Sequence, residues 1–305
     1  MKNLVLIHSA NYRNWVFSDT HPTQGRRFDN GRDLIVAACN QNGLDLSERE
    51  PRMATHAELE TVHSASYVSK VVDEGKSEQW TGSRPELGEL AATFVGGTLE
   101  ALKALTDGET LTAVHLPGAK HHAQYDHSSG FCVFADLVIA AKTLTAQGKK
   151  VAVFDFDAHH GDGTENLSAS DPNILTYSVH ESGIFPGTGE TSRPREKVYN
   201  RPLRAGDGNV QLLHATDEFI ELAKEFHADY IFFAAGGDGH ENDPLAHLRY
   251  TAEGAGTATK KIRDAFPETP MLLGGAGGYR PDDDTPAMWC ASVMGLITSG
   301  KSSRA

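Results

Sequence analysis

Short runs of consecutive apolar and β-branched residues recur along this chain, and they constrain its fold more than any other feature. Their continuous rather than alternating apolarity indicates strands that are covered on both faces. Helical patterns separate them, which predicts a three-layer α/β/α fold around a central, mainly parallel sheet. The predicted strands are Leu4–Ile7, 111–114, 151–154, 174–179, 230–235 and 271–273, and the predicted helices are 87–105, 134–146, 212–227 and 253–266.

The same pattern continues along the whole chain, and it predicts one domain over residues 1–305. No repeat, low-complexity linker or shift in composition interrupts it, and α/β folds often carry roughly 250 to 300 residues as one unit. The apolar runs fall far short of the roughly 18 residues of a membrane span, which excludes a transmembrane protein. The first run is broken by His8 and has no cleavage site, so we expect a cytoplasmic protein.

Charge and cysteine usage limit the partners of the protein. The chain has 41 acidic and 28 basic residues, a net charge of −13, and no basic run longer than a pair. Direct binding to nucleic acid is therefore not expected. Such acidity is an ordinary solubility feature, although it would also attract a cationic substrate. Three cysteines without a CxxC pair fit reducing surroundings, and no sequence feature specifies an oligomeric state.

Reactive side chains follow four of the predicted strands. The segments 115–122, 155–163, 236–240 and 274–279 are rich in His, Asp and Gly. Because parallel sheets place their chemistry at the carboxyl ends of strands, we expect these four loops to meet at one edge.

Asp157, His159 and Asp238 are candidate metal ligands at this edge. Asp157 and His159 are two residues apart at a strand end, so their side chains can reach one ion, and Asp238 can join from another strand. Two carboxylates and one imidazole leave open positions, as in a catalytic zinc or iron(II) site. An Asp at a strand end also often caps a helix, but the surrounding His and Asp residues favour a metal.

The tandem His121 and His122 and the spare carboxylates Asp155 and Asp162 predict two His–Asp pairs. A carboxylate that binds an imidazole fixes its tautomer and raises its basicity. One imidazole can then act as a general base while the other stays charged beside a developing oxyanion. Tyr279 follows a glycine-rich stretch, and its hydroxyl can donate to that oxyanion. Alone, Tyr279 would be interpreted as an ordinary half-buried aromatic residue.

Six ordered segments of the chain resemble the zinc-dependent histone deacetylase family. They are PGAKHHA, GFCVF, DFDAHHGDGTEN, SVHESGIFPGTGE, AAGGDGHENDPL and GGY. The resemblance covers roughly residues 15 to 297, and the chain looks like a bacterial-type, class II-like member. The family also includes acetylpolyamine amidohydrolases and acetoin-utilisation proteins, and its fold is the arginase/deacetylase fold.

The resemblance implies a role for each site residue. Asp157, His159 and Asp238 match the ligands of Zn²⁺, with Fe²⁺ as an alternative. His122, paired with Asp162, matches the general base and later acid. His121, paired with Asp155, matches a residue with a mainly electrostatic role, and Tyr279 matches the residue that stabilises the transition state.

The resemblance also implies a substrate tunnel and a second ion. The tunnel would be walled by Phe131, after Gly130, and by Phe185, with Leu245 at its mouth. An apolar slot of this kind suits the methylene stem of lysine. A structural K⁺ would be held by oxygens at Asp155, Asp157, His159, Ser178 and Val179.

The sequence therefore predicts a metal-dependent enzyme that removes acetyl or other acyl groups from lysine in proteins or peptides. A deacetylase of acetylpolyamines or another small acetylated amine is the alternative, which Leu245 at the mouth disfavours. An arginase-like binuclear site is disfavoured because Gly161 and His240 stand where the second metal would need carboxylates. A silent acyl-lysine binding module is disfavoured because every expected catalytic residue is present.

Three departures from the family pattern stand out. Ala135, followed by Asp136, replaces the usual Asn, with no consequence that the sequence reveals. Gly275–Ala276 replaces the usual Leu-Glu, which predicts a more mobile loop before Tyr279. No acid within 76–89 matches the carboxylate that holds the substrate backbone at the tunnel rim in many members.

Overall fold

One parallel sheet forms the centre of the molecule in the computed structural model, which describes residues 2–297. Its strands are β1 (Leu4–Ile7), β2 (Leu46–Arg49), β3 (Thr112–His115), β4 (Val151–Asp155), β5 (Ile174–Glu181), β6 (Val198–Leu203), β7 (Tyr230–Ala234) and β8 (Met271–Gly274). They lie in the order β2-β1-β3-β8-β7-β4-β5-β6, and every neighbouring pair is parallel. The predicted three-layer α/β/α class is confirmed.

The helices of the described region connect these strands. They are α1 (Arg26–Gln41), α2 (His56–Leu59), α3 (Ala65–Val72), α4 (Pro85–Thr106), α5 (Asp136–Thr145), α6 (Asp162–Ser168), α7 (Asn209–Phe226), α8 (Ala252–Ala265) and α9 (Asp284–Ile297), with short 3-10 helices at Ala10–Asn14 and Pro194–Glu196. Local sequence explains their starts: Pro85 opens α4, and the Ser64 hydroxyl accepts a bond from the Tyr67 N–H at the start of α3. Within residues 2–297, no helix is both long and apolar enough to cross a membrane.

Each of the six predicted strands is present, and two further strands lie at the edges of the sheet. The central strands β1, β3, β4, β5 and β8 are buried at every residue, which explains why they are mainly apolar. The edge strands β2 and β6 have the sequences LSER and VYNRPL and are partly exposed. A search for apolar runs did not predict these two strands because they contain polar residues. Pro202 is tolerated in β6 because this strand has only one neighbour in the sheet.

The topology brings the four reactive loops together. The strands that precede them, β3, β8, β7 and β4, are consecutive in the sheet. Their last residues are in register, since Gly274 pairs with His115 on one side and with Ala234 on the other, and Ala234 pairs with Asp155. The loops therefore leave the sheet at the same level and face one another.

Candidate active site

Asp157, His159 and Asp238 form a cluster at this edge that could hold a metal ion; it is called the metal-ligand cluster below. Asp157 and His159 follow β4 and Asp238 follows β7, and one potential ligand atom from each lies within 4.8 Å of the others. The His159 Nδ1 lies 3.2 Å from an oxygen of Asp157 and 3.0 Å from one of Asp238. Both carboxylates are fully buried. Within residues 2–297 this is the one cluster of three or more such side chains that could hold an ion.

The electrostatics of the cluster fit a divalent cation. Burial lowers the pKa of His159, but the bonds to Asp157 and Asp238 outweigh it and raise that pKa to about 11. Two buried carboxylates thus strongly favour positive charge at this point, which a metal bound by one imidazole and two carboxylates would supply. Gly277 allows the close packing, because a Cβ there would lie 2.1 Å from the Asp238 carboxylate.

The two predicted His–Asp pairs are present beside the cluster. His121 Nδ1 lies 2.8 Å from Asp155 Oδ2, and His122 Nδ1 lies 2.7 Å from Asp162 Oδ1. The Gln124 side chain donates to the other oxygen of Asp162 at 2.9 Å. The centroids of the two imidazole rings are 4.0 Å apart, so a positive charge on one ring lowers the proton affinity of the other.

The two histidines have opposite proton affinities. Burial lowers the pKa of His121, but the negative charges of Asp155 and Asp157 raise it to about 9. Burial and the positive charge of His121 lower the pKa of His122 to about 4, against its bond to Asp162. At neutral pH His121 is therefore charged and His122 is free to accept a proton.

Tyr279 lies beside the metal-ligand cluster, near His159 and Phe131. Its ring centroid is 6.5 Å from that of His159 and 5.9 Å from that of Phe131. Burial and the charges of Asp238 and Asp157 hold the pKa of Tyr279 well above its usual value, so its hydroxyl stays protonated and can donate.

Hydrogen bonds fix the glycine-rich loop before Tyr279. The N–H groups of Gly275 and Ala276 donate to the Leu116 and Gly118 carbonyls, and the Gly277 N–H donates to Asp157 at 2.7 Å. These bonds argue against the mobility expected from the Gly275–Ala276 replacement.

An apolar cavity of about 360 Å³ leads to this chemistry. It is lined by His122, Gly130, Phe131, His159, Phe185, Leu245 and Tyr279, so the structure brings all four predicted tunnel residues together. Phe185 and Leu245 are 49% and 38% exposed, which places them at the mouth. Phe131 has a left-handed backbone with φ of 64°, and its N–H donates to the Gln79 side chain at 2.9 Å.

The residues of the predicted potassium site are also neighbours. Asp155 on β4 pairs in register with Ser178 on β5, and Val179 follows it, fully buried. Asp155 also accepts a bond from the Asp157 N–H at 3.1 Å. Its oxygens therefore lie between the two strands and the metal-ligand loop.

The two positions at which an arginase-like site would supply carboxylates to a second metal are Gly161 and His240, and neither carries a carboxylate. A Cβ at Gly161 would lie 2.4 Å from Asp155 Oδ2, so this position has no room for an aspartate in the present arrangement. His240 instead faces Asp284, with 3.6 Å between Nδ1 and Oδ2.

Asp136 is a site residue whose role the sequence did not reveal. It is fully buried, and it accepts bonds from the Ala119 N–H at 3.0 Å, the Lys120 N–H at 2.8 Å and the Thr98 hydroxyl at 2.6 Å. Asp136 thereby orders the turn directly before His121. The sequence feature that could have indicated this role was the departure at Ala135–Asp136. A carboxylate at the start of a helix in a buried segment needs hydrogen-bond donors nearby.

Two buried cations near the site, Arg27 and Lys120, were also missed. Arg27 donates to the Gly278 carbonyl at 2.6 Å. The Lys120 ammonium lies 5.3 Å from the ring centroid of Phe94, and burial lowers the pKa of Lys120 to about 8. Lys120 lies inside the PGAKHHA segment, but nothing in that segment signals burial of its side chain.

Comparison with known proteins agrees with this geometry. Residues 21–296 match the family model of the histone deacetylase domain. The chain is 30% identical to the acetoin utilization protein AcuC of Staphylococcus aureus (strain COL) and 32% identical to that of Bacillus subtilis (strain 168), in both cases over 95% of this chain and 81% of the relative. It is 30% identical to histone deacetylase 8 of Xenopus laevis over 75% of this chain and 77% of that protein. The chain therefore belongs to the histone deacetylase family, which its acetoin-utilisation relatives share.

Proposed function

We propose that this member of a deacetylase family is a metal-dependent hydrolase that removes acetyl groups from the ε-amine of lysine in proteins or peptides. Family membership supports the deacetylase activity. The observation that carries the proposal is one apolar cavity whose lining includes His122 and His159. These two residues connect the cavity to the metal-ligand cluster and to the pair of a neutral and a charged histidine.

When held by Asp157, His159 and Asp238, a zinc or iron(II) ion supplies Lewis acidity toward the amide carbonyl and toward water. The chain itself moves the protons. The bond from His122 Nδ1 to Asp162 leaves the other ring nitrogen free to accept the proton of the attacking water. Once protonated, His122 delivers that proton to the leaving amine.

His121 and Tyr279 stabilise the negative charge that develops on the substrate oxygen. His121 stays positively charged because of Asp155 and Asp157, and it therefore acts through its field. Tyr279 keeps its proton and donates a hydrogen bond to the oxyanion. Such donors act on the transition state more than on the bound substrate.

The walls of the cavity favour an acyl-lysine stem over a polyamine. Phe131, Phe185 and Leu245 present apolar surface, which suits methylene groups. A second ammonium inside the cavity would lose water without gaining a carboxylate partner among the cavity-lining residues of the described chain, and a desolvated, unpaired charge costs several kcal/mol.

We also propose that residues 1–305 act as one catalytic domain and that K⁺ binds at Asp155, Asp157, His159, Ser178 and Val179. The adjacency of β4 and β5 at Asp155 supports the ion site. Cys39, Cys132 and Cys290 are free thiols, in line with the cytoplasmic, reducing surroundings expected from the sequence.

A comparison of substrates tests the function. The zinc-loaded enzyme should hydrolyse acetyl-lysine peptides with a higher kcat/KM than acetylspermidine or acetylputrescine. Leu245→Glu should shift this ratio toward the polyamines, because it supplies an acid at the mouth. Val210→Glu is the matched control, since Val210 is an exposed apolar residue (62%) on α7 outside the cavity lining.

Hydrolysis of acetylspermidine with a higher kcat/KM than every peptide would replace the lysine substrate by a polyamine. A lack of hydrolysis of all these amides by the metal-loaded enzyme would contradict the deacetylase itself.

A further inference from the structure

Asp243 holds together two segments of the site that are distant in sequence. Its side chain is buried in the loop between β7 and α8, with 7% exposure. One carboxylate oxygen accepts a bond from the Leu245 N–H at 2.9 Å, and the other accepts a bond from the Tyr279 N–H at 2.8 Å. A single carboxylate therefore connects the mouth of the cavity to the loop of the oxyanion donor.

The peptide unit before Tyr279 is held at both ends. Its carbonyl, that of Gly278, accepts the bond from Arg27 at 2.6 Å, and its N–H donates to Asp243. Gly278 has φ of 128°, a conformation that glycine adopts freely. Gly278 thus has little conformational preference of its own, and these two bonds orient the peptide unit that joins it to Tyr279.

We propose that Asp243 is a positioning residue for the deacetylation reaction, which sets the place of the Tyr279 hydroxyl and of the Leu245 wall through one carboxylate. The inference rests on the proposed function. Asp243 is not itself among the residues that line the cavity. Its carboxylate bonds to the backbone N–H groups of Leu245 and Tyr279, which do line it, so Asp243 acts through them. Bonds from N–H groups to a charged carboxylate are stronger than neutral ones, which suits this role.

Asp243→Asn is the sharpest change. The variant keeps the shape of the side chain, but its amide group can accept only one of the two N–H bonds and presents a donor to the other. Burial and the charge of Asp238 raise the pKa of Asp243 to about 7, so the assay is run at pH 8.5, where the wild-type side chain is charged. We expect kcat on an acetyl-lysine peptide to fall about 10-fold or more, with KM changed less than about 3-fold.

A double-mutant cycle with Tyr279→Phe separates positioning from a structural role. If Asp243 acts through the Tyr279 hydroxyl, Asp243→Asn should cost less than about 3-fold in kcat once that hydroxyl is gone. A residue that supports only the general structure would cost the same factor in both backgrounds. Asp171→Asn is the matched control, because Asp171 accepts bonds from the Asn173 N–H, Lys142 and Thr145 just before the start of β5, at the opposite edge of the sheet.

The outcomes are distinct. An inactive wild-type enzyme contradicts the proposed function. If the wild type is active, two results overturn only the role of Asp243: an unchanged kcat in Asp243→Asn, or an equal loss of kcat from this change with and without the Tyr279 hydroxyl. Asp243→Ser repeats the cycle if the Asn variant has a lowered Tm or lowered metal content. Loss of the fold in both variants would make Asp243 a structural residue and would also overturn the inference.

Discussion

At the scale of single residues, neighbouring side chains of the same type have different properties. His121 and His122 adjoin in sequence, and each binds a carboxylate through Nδ1. His121 also faces Asp157, with 3.7 Å between its Nε2 and the carboxylate, whereas His122 has the charged His121 beside it. The surrounding charge, rather than residue type, therefore determines which histidine can act as a base.

The histidine pair predicts unequal mutants. His122→Ala removes the neutral base and should reduce kcat on an acetyl-lysine peptide at least about 10²-fold. His121→Ala removes only a charge and should be less damaging. Steady-state kinetics of both variants at saturating metal checks this, and an equal or larger loss at His121 would reverse the two roles.

Tyr279→Phe tests the oxyanion donor, because it removes one hydroxyl and little volume. Loss of one such donor typically costs about 10² to 10³ in kcat, and KM should stay nearly unchanged. Phe131→Leu, on the facing wall of the same cavity, serves as the comparison and should alter KM more than kcat. An unchanged kcat in Tyr279→Phe would favour a silent binding module.

At the scale of elements, a buried carboxylate ties α6 to β6 and to the loop before it. Glu165 on α6 accepts bonds from His160 at 3.0 Å, Asn200 at 2.7 Å and Arg193 at 2.6 Å. His160 also bonds to Thr188, in the loop that carries Phe185. The position of one tunnel wall is thus connected to how these elements pack.

Glu165 predicts a pH dependence of stability. Burial raises the pKa of Glu165, but the bonds from His160 and Asn200 and the charge of Arg193 outweigh it and lower that pKa to about 2. A lowered carboxyl pKa stabilises the folded state above the unfolded value near pH 4.5, and this contribution is lost as the pH falls toward 2. The full contribution is on the order of 2 kcal/mol, because solvent screening reduces the roughly 3 kcal/mol that the pKa difference alone would give.

Urea unfolding of wild type and Glu165→Gln checks this. The difference in the free energy of unfolding should be largest above pH 5 and should shrink between pH 5 and pH 3. Glu196→Gln is the matched control, because Glu196 pairs with the same Arg193 but is 47% exposed, and it should show little difference at any pH. A Glu165→Gln difference that stays constant with pH would contradict the prediction.

At the scale of the whole molecule, the candidate active site forms where the loops after four adjacent strands meet. The ligand cluster draws on loops after β4 and β7, and the loop after β8 donates to Asp157 through Gly277. A metal bound here connects parts of the chain that are about 80 residues apart, such as His159 and Asp238. Because the unfolded chain cannot assemble these ligands, metal binding should stabilise the fold.

Metal removal should therefore lower both activity and Tm. We expect one zinc or iron ion per chain by elemental analysis, and a fall in Tm of roughly 5 °C on chelation. Asp157→Ala should lose metal and activity together, and chelator should then leave its Tm unchanged. Two tightly bound transition metals per chain, or full activity after complete metal removal, would contradict the single-metal site.

The sequence by itself determined the central strands, the fold class and the identity of the reactive loops. These follow from local patterns, because strands buried on both faces need continuous apolar residues and the strand ends then carry polar ones. The edge strands β2 and β6 escaped prediction because partly exposed strands carry polar residues. The sequence also indicated which residues could be metal ligands, because Asp157 and His159 stand close together at one strand end.

Only the tertiary structure decided which groups carry protons and which bonds hold them in place. The opposite charge states of His121 and His122 depend on burial and on carboxylates more than 30 residues away. Asp136 and Asp243 show their roles only when the N–H groups they accept are located. Electrostatic interactions and hydrogen bonds depend on distance in space, which the order of residues along a chain does not specify.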